Sequence, residues 1–173
     1  CLVGSEMCIR DRLETGSIDI NVPICWEELE QDYEGVAWYS TQVEIDAEKA
    51  GQICRIVFQA SNYRTSIWIN GKAAGSHDGG YTPFDFEIQD FLNYGASNQI
   101  TVRIVSPIIT KDIRVDDLGP NDMPHWRGGL TAGIWQSAEL EFNQYAWIKH
   151  AFYKPKPLQV FVYSYYRPHS SIL

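Results

Sequence analysis

A polar and aromatic cluster, His125-Trp126-Arg127, lies within the longest segment that has neither strand nor helix pattern. The arginine fork of N–H donors suits a carboxylate, and polar groups beside an aromatic ring are typical of small-molecule pockets. The cluster therefore indicates a candidate site for a ligand that carries hydroxyl or carboxylate groups.

The other residues that could do chemistry form no catalytic or metal-binding signature. The sequence lacks GxSxG, HExxH, phosphate-loop and dinucleotide-binding motifs, and its four histidines match no zinc spacing: His77, His125, His150 and His169. Its 22 Asp and Glu residues could include the carboxylate pair of a glycoside hydrolase, about 5–10 Å apart, but the sequence cannot establish such a pair. No loop shows a calcium-ligand pattern. We predict no metal site and no cofactor.

Two cysteines, Cys25 and Cys54, lie in or beside apolar strand-like runs and form no CxxC pattern. Buried free thiols fit this placement better than a disulfide, which stays the alternative. The cysteines therefore leave the cellular compartment unknown.

Composition limits the possible classes of protein. The 173 residues suit about one domain, and 45% hydrophobic with 21% charged residues is typical of a globular chain. The net charge of −8 argues against a nucleic-acid partner, which would need clustered Lys and Arg. No apolar run approaches the roughly 18 residues of a membrane helix.

Short strands separated by turn signals must position any site. Asn70-Gly71 predicts a tight hairpin, because both turn positions need positive φ. Residues 89–94 predict one helical turn that ends at Gly95. The spacing of the strands predicts an antiparallel sandwich or jelly roll. We predict strands at 36–45, 52–58, 66–69, 72–77, 83–88, 99–105 and 134–142.

The long segment 106–133, rich in Pro, Gly and Asp, interrupts this series of strands. A connection of that length is uncommon inside a compact domain and is usually functional or disordered.

The two ends of the chain differ from the middle. Residues 1–12 (CLVGSEMCIRDR) resemble a translated sequencing adapter, and we expect them to be non-native; a native, loosely ordered terminus is the alternative. Residues 147–153 and 158–166 read as two strands, which cannot form a stable sheet unaided. We expect them to open a second β-domain.

Four motifs occur together and in order: VPICW at 22–26, GVAWY at 35–39, WINGKAAGSHDGGYTPFDFEI at 68–88 and GIW at 133–135. Over roughly residues 20–143, this series resembles the N-terminal sugar-binding domain of glycoside hydrolase family 2. That family includes β-galactosidases, β-glucuronidases and β-mannosidases. The resemblance implies an all-β jelly-roll sandwich of the galactose-binding type over residues 13–143, and the truncated start of an immunoglobulin-like domain over 144–173.

In this family a catalytic (β/α)8 barrel follows, and its acid/base is a Glu preceded by Asn. The chain contains no Asn-Glu dipeptide, so the resemblance implies that it is inactive alone. It also implies a carbohydrate partner, a β-glycoside, bound through the full-length enzyme.

Asn62 is the first substrate-binding candidate that the resemblance implies. It lies six residues before Trp68, at the offset of an Asn that reaches the substrate in family β-galactosidases. An amide both donates and accepts hydrogen bonds, as a sugar hydroxyl requires. A turn-stabilising asparagine is the alternative.

The tip of the long segment is the second candidate. In the β-galactosidases an Asp two residues before Trp-Arg helps to bind sugar; here Pro124 holds that position, and Asp122 is the nearest Asp. We therefore take Asp122, His125, Trp126 and Arg127 as candidates. A loop that packs on the barrel is the alternative.

Four aromatic residues of the motifs, Trp38, Trp68, Phe84 and Phe86, are predicted to lie in the core, with sugar stacking as the alternative. Three functions remain open for the whole chain: an accessory domain that braces the barrel, a free-standing carbohydrate-binding module, and a purely structural domain.

Overall fold

The computed structural model describes residues 7–10, 18–29, 33–108, 111–122, 132–156 and 159–168. These ranges contain the strands β1 (Met7–Arg10), β2 (Ile18–Ile20), β3 (Val36–Ile45), β4 (Ile53–Phe58), β5 (Arg64–Ile69), β6 (Lys72–Asp78), β7 (Phe84–Glu87), β8 (Ala96–Val105), β9 (Ala138–Asn143), β10 (Ala146–Lys156) and β11 (Gln159–Pro168). They also contain the helix α1 (Trp26–Leu29) and short 3-10 helices at Ala47–Lys49, Gln89–Phe91 and Pro120–Asp122.

Two antiparallel sheets form the body of the molecule. The larger sheet has the order β2-β1-β3-β8-β5-β6, and the smaller has the order β7-β4-β9. One cluster of buried side chains joins them, with Tyr39 and Ile67 from the larger sheet and Ile56 and Phe58 from the smaller. The predicted all-β sandwich is therefore confirmed.

Alternation along the central strands decides which side chains enter this core. In β3, Ala37, Tyr39 and Thr41 are buried, whereas Trp38 between them lies on the opposite face and is only partly buried. Trp68 takes the corresponding outward position in β5. The prediction that Trp38 and Trp68 lie in the core is wrong, because successive residues of a strand point to opposite faces. Their rings contact each other on the outer face, 5.3 Å apart.

Phe84 and Phe86 pack against the core, as predicted. Both rings contact Phe58 of the neighbouring strand β4, at 5.1 Å and 6.4 Å between centroids.

The predicted hairpin at Asn70-Gly71 is confirmed. Asn70 has φ 51° and Gly71 has φ 78°, and the turn joins β5 to β6. The pairing shifts by one residue between Ile67, which pairs with Gly75, and Trp68, which pairs with Ala73. A Cβ on Gly75 would lie 2.6 Å from Phe86 Cδ1, so this position has room only for glycine.

Some elements differ from those predicted. Met7–Arg10, to which the sequence assigned no strand, pairs with both β2 and β3. The last strand of the sandwich begins at Ala138 rather than at residue 134, because the backbone before it bonds to loops: Ile24 N donates to Ile134 O, and Gln136 N donates to Ala60 O.

Strands β10 and β11 form a separate two-stranded sheet. A side-chain contact ties its start to the sandwich, since Arg55 of β4 lies over the Trp147 ring at 4.7 Å from its centroid. Arg55 also forms ion pairs with Asp85 and Glu141 from the two strands beside β4.

Candidate functional site

Asn62 lies two residues before β5, at one end of the sandwich. Its backbone N donates to Gly133 O at 2.9 Å, and Gly133 N donates back to Asn62 O at 3.0 Å. The peptide bond between Asn62 and Tyr63 is cis. The side chain is 1% exposed. Asn62 therefore lies against the point where the long segment 106–133 ends.

The buried Gly80 covers the Asn62 amide. A Cβ on Gly80 would lie 2.6 Å from Asn62 Oδ1, so that only a glycine permits this approach. Trp135 Nε1 donates to the Gly80 carbonyl at 2.9 Å. This bond holds the turn between β6 and β7 against the segment that follows Gly133.

An exposed aromatic ring follows directly on this turn. Tyr81 is 47% exposed and contacts the Trp135 ring edge-on, with the centroids 5.6 Å apart. Tyr81 and Trp135 were quoted in the sequence analysis only as members of motifs, and neither of them was assigned a role. The signal that the sequence offered for this pair was membership of the motifs, since Tyr81 belongs to GGY and Trp135 to GIW.

His77 lies at the end of β6, stacked on Phe84 at 4.0 Å between ring centroids. Its Nε2 is buried and has no hydrogen-bond partner among the described residues. Burial lowers the pKa of His77, and the neighbouring Asp78 carboxylate acts in the opposite direction. A neutral imidazole fits this apolar stack.

Beneath the site, Trp26 and Tyr39 form a buried pair. Trp26 Nε1 donates to Tyr39 Oη at 2.5 Å, and burial raises the pKa of the Tyr39 hydroxyl, so it stays protonated. A Cβ on Gly133 would lie 2.8 Å from Trp26 and 2.9 Å from the Tyr39 hydroxyl. Gly133 therefore packs directly against this pair, which leaves no room for a side chain at that position.

Two arginines fasten the long segment to the larger sheet. Arg64 at the start of β5 binds Asp78 through two nitrogens, each at 2.7 Å, and reaches Asp117 at 2.8 Å. Arg103 of β8 pairs with Asp116. The segment is therefore held by its own acidic residues as it approaches its central part.

Asp122 has a local structural role in the described structure. Its Oδ2 accepts a hydrogen bond from Gly119 N at 2.7 Å and lies 3.5 Å from Arg114. The other candidates of this segment, His125, Trp126 and Arg127, lie outside the described residues. Of the predicted site residues, the structure thus describes Asn62 and Asp122.

Metal and thiol chemistry have few candidates at this end of the sandwich. Within the described ranges, no group of three or more His, Cys, Asp or Glu side chains could hold a metal ion. Cys25 and Cys54 are free thiols, and burial raises their pKa values to about 11 and about 12.

None of the helices in the described ranges has the length and apolar character needed to cross a membrane.

Comparison with known proteins identifies the domain. Residues 14–140, more than half of the chain, match the family model described as "Glycosyl hydrolases family 2, sugar binding domain". The chain is similar to a β-galactosidase of Thermoanaerobacter pseudethanolicus, with 36% identity over 44% of this chain and 10% of that protein. It is also similar to a putative β-glucuronidase of Formosa agariphila, with 26% identity over 67% of this chain and 14% of that protein.

Among solved structures, the Ruminococcus gnavus β-glucuronidase has the same fold. It superposes with a TM-score of 0.76 at 18% identity, over 95% of this chain and 32% of that one. The chain thus spans a small part of the relatives that it matches. It belongs to glycosyl hydrolases family 2 and contains the sugar-binding domain of that family.

Proposed function

We propose that this chain is the accessory domain of a family 2 β-glycosidase, in which it braces the catalytic barrel and contributes Asn62 to the rim of the glycoside pocket. One observation carries this proposal. The Asn62 backbone pairs with Gly133, so the segment that carries residues 122–127 ends beside Asn62. Both sets of sequence-predicted candidates thus belong to segments that meet at one end of the sandwich.

The proposal includes further domains. Strands β10 and β11 lie outside the matched residues 14–140 and form their own sheet, which supports an immunoglobulin-like domain that begins near residue 144. The matched relatives are several times longer than this chain, which leaves room for a barrel.

In the complete enzyme we expect retaining hydrolysis of a β-glycoside by two barrel carboxylates about 5 Å apart. The domain described here supplies binding groups rather than the acid or the nucleophile. Its partner is therefore the carbohydrate substrate, and the isolated chain has no hydrolase activity in this proposal.

The first test is to recover the DNA on both sides of the fragment and to express the complete reading frame. We expect the frame to continue past Leu173 into an immunoglobulin-like domain and a barrel with an Asn-Glu pair. A stop codon close behind Leu173 would overturn the accessory-domain proposal and favour a free-standing binding or structural module.

The second test is Asn62→Ala in the complete enzyme. In this proposal the turn at Gly80, which covers the Asn62 amide, moves aside in the complete enzyme so that the amide binds the substrate. We expect kcat/KM to fall about tenfold, since the substrate then loses about one hydrogen bond. Asn93→Ala is the matched control, because Asn93 is exposed and its backbone N donates to Asn98, near the opposite end of β5. Kinetics of Asn62→Ala that equal those of Asn93→Ala would refute the pocket role of Asn62.

A further inference from the structure

We propose that Arg64 is a positioning residue for the Asn62 end of the sandwich. It holds the long segment and the end of β6 in fixed places beside Asn62, and without it the complete enzyme binds its substrate more weakly. This inference rests on the proposed function, because its readout is substrate binding at that end. Arg64 acts through its neighbours and does not contact the substrate itself.

Arg64 joins three parts of the chain that adjoin Asn62. It is the first residue of β5 and follows Asn62 by two residues. Its Nε and Nη2 donate to the two carboxylate oxygens of Asp78, each at 2.7 Å, and Asp78 is the last residue of β6. Its Nη1 donates to Asp117 Oδ1 at 2.8 Å and to Asp116 O at 3.0 Å in the long segment. One side chain therefore ties together two strands and the long segment.

The part of the long segment that Arg64 binds is a tight turn. The backbones of Val115 and Leu118 exchange two hydrogen bonds, at 2.9 Å and 3.0 Å. Between them, Asp116 has φ 47° and Asp117 has φ 64°. Glycine and asparagine also suit a pair of positive φ angles, so the backbone alone gives no reason for two aspartates. Their carboxylates account for the choice, since each of them binds an arginine of the larger sheet.

The second of these arginines holds the turn but does not reach β6. Arg103 of β8 pairs with Asp116, and its position in the sheet is opposite Ser66 of β5. Its guanidinium also lies over the Trp38 ring, 5.6 Å from the centroid. Arg64 binds both the turn and β6, so its contacts fix the position of the long segment relative to β6.

Both partners of Arg64 lead to the surroundings of Asn62. The turn that covers the Asn62 amide begins at Gly79, directly after Asp78. The long segment, held at Asp117, returns to the Asn62 backbone at Gly133. Arg64 thus fixes the base of the turn that moves aside and one described side of the segment. Groups that are held in place before the substrate arrives lose less entropy when it binds.

The first test is Arg64→Met in the complete enzyme, with an aryl β-glycoside that the enzyme hydrolyses. Methionine keeps an apolar stem and removes the fork of N–H donors. We expect KM to rise about fivefold while kcat stays within about twofold, because substrate and transition state lose the same positioned groups. Arg64→Lys keeps the charge without the paired geometry and should recover only part of the loss.

Arg55→Met is the matched control for stability. Arg55 also binds two carboxylates, those of Asp85 and Glu141, but it does so in the smaller sheet. We expect the control to lower the Tm to an extent comparable with Arg64→Met and to leave KM within about twofold of the wild type. An equal rise of KM in the two variants would show that lost stability weakens binding, and would overturn the inference.

Asp117→Asn tests the contact with the long segment. Asparagine tolerates the positive φ of this position, so the variant weakens one contact of Arg64 and keeps the turn. Because Asp117 acts through Arg64, the double variant Arg64→Met/Asp117→Asn should have the same KM as Arg64→Met. If the two changes in KM multiply instead, the residues act separately and the inference is wrong.

Hydrogen exchange in the complete enzyme measures the positioning without substrate. Leu118 N donates to Val115 O beside the Asp117 contact, and Gly79 N donates to Tyr63 O beside the Asp78 contact. We expect both amides to exchange faster in Arg64→Met, whereas those of β4 keep their rates. Unchanged exchange at both amides would overturn the inference.

Comparison with Asn62→Ala separates this inference from the proposed function. If Asn62→Ala lowers kcat/KM and Arg64→Met leaves KM unchanged, the positioning role of Arg64 alone is refuted. If both variants have the kinetics of the wild type, the proposed pocket role of the domain fails as well.

Discussion

At the scale of single residues, the environment of Asn62 depends on the absence of a side chain at Gly80. The sequence pointed to Asn62 through its offset from Trp68, but nothing in that offset shows that the amide is covered. The cover comes from a turn 18 residues further along the chain, which only the pairing of β5 with β6 brings into contact. Local patterns cannot predict a contact that depends on strand register.

His77 offers a prediction about pH at the same scale. Its folded pKa is lowered, mainly by burial, so the unfolded chain binds this proton at higher pH than the folded chain. Stability that depends on neutral His77 is complete above about pH 6.5 and is lost as the pH falls toward the folded pKa. The variant His77→Phe keeps a ring against Phe84. We expect its Tm to fall less than that of the wild type when the pH is lowered from about 7 to about 5.

The titration of Asp78 lies below the pH range of this measurement. Its pKa is lowered by the hydrogen bonds from Arg64, so its contribution is lost only as the pH falls below 3.8. Melting curves of the wild type and His77→Phe that decline in parallel over the upper pH window would contradict the assignment to His77.

At the scale of elements, the turn between β5 and β6 is part of a larger polar network. Asn70 Nδ2 donates to Phe91 O at 2.9 Å and to Asn98 Oδ1 at 2.8 Å, and Gln99 N donates to Asn70 Oδ1 at 3.0 Å. Asn98 is fully buried and also bonds to the backbone of Asn93. The turn residue thus joins the hairpin to β8 and to the short helix before it.

This network can be separated from the turn geometry. Asn70→Gly keeps the positive φ but removes the side-chain hydrogen bonds, and we expect a loss of about 2–4 kcal/mol in the free energy of unfolding, measured by urea titration. Asn70→Ala should cost about 1 kcal/mol more, because alanine is strained at φ 51°. Lys72→Ala, at an exposed position just beyond the turn, should stay within about 0.5 kcal/mol of the wild type. Equal stability of Asn70→Gly and wild type would mean that the side chain contributes nothing beyond the turn.

Two elements show which features of the fold the sequence could predict: the hairpin at Asn70-Gly71 and the inward face of β3. Positive φ at Asn70-Gly71 is a local requirement, so this hairpin was predictable. The inward face of β3 was not, because the run VAWYSTQV carries bulky residues at both alternating phases. The structure buries Ala37, Tyr39 and Thr41 and turns Trp38 outward toward Trp68. Side-chain size alone could not choose between these phases.

At the scale of the whole molecule, Arg55 connects the sandwich to the following hairpin. Its side chain is 13% exposed, pairs with Asp85 and Glu141, and lies over Trp147. In a chain of net charge −8, this cation neutralises carboxylates that would otherwise repel each other across the sheet. The same residue therefore stabilises the sheet and fixes the start of β10.

Arg55→Met tests this role. The substitution leaves two partly buried carboxylates without their cation, so we expect about 2–4 kcal/mol of destabilisation in a urea titration. Arg114→Met is the matched control: it removes the same charge, but the Arg114 side chain is 63% exposed. We expect the control to lose no more than about 1 kcal/mol. Equal losses would show that net charge, rather than the Arg55 contacts, determines the effect.

The order of strands in the larger sheet also governs how this chain can fold. Strand β3 ends at Ile45, yet its partner β8 begins at Ala96, and β4 pairs with β9 only at residues 138–143. Both pairings must close loops of tens of residues before any hydrogen bond forms, which places such sheets among the slower folders, in the millisecond-to-second range. During synthesis, the edge of β3 that will meet β8 stays open until the ribosome has released the chain beyond Val105. A cell that makes this protein must therefore keep that edge from pairing with other chains while the rest of the sheet is translated.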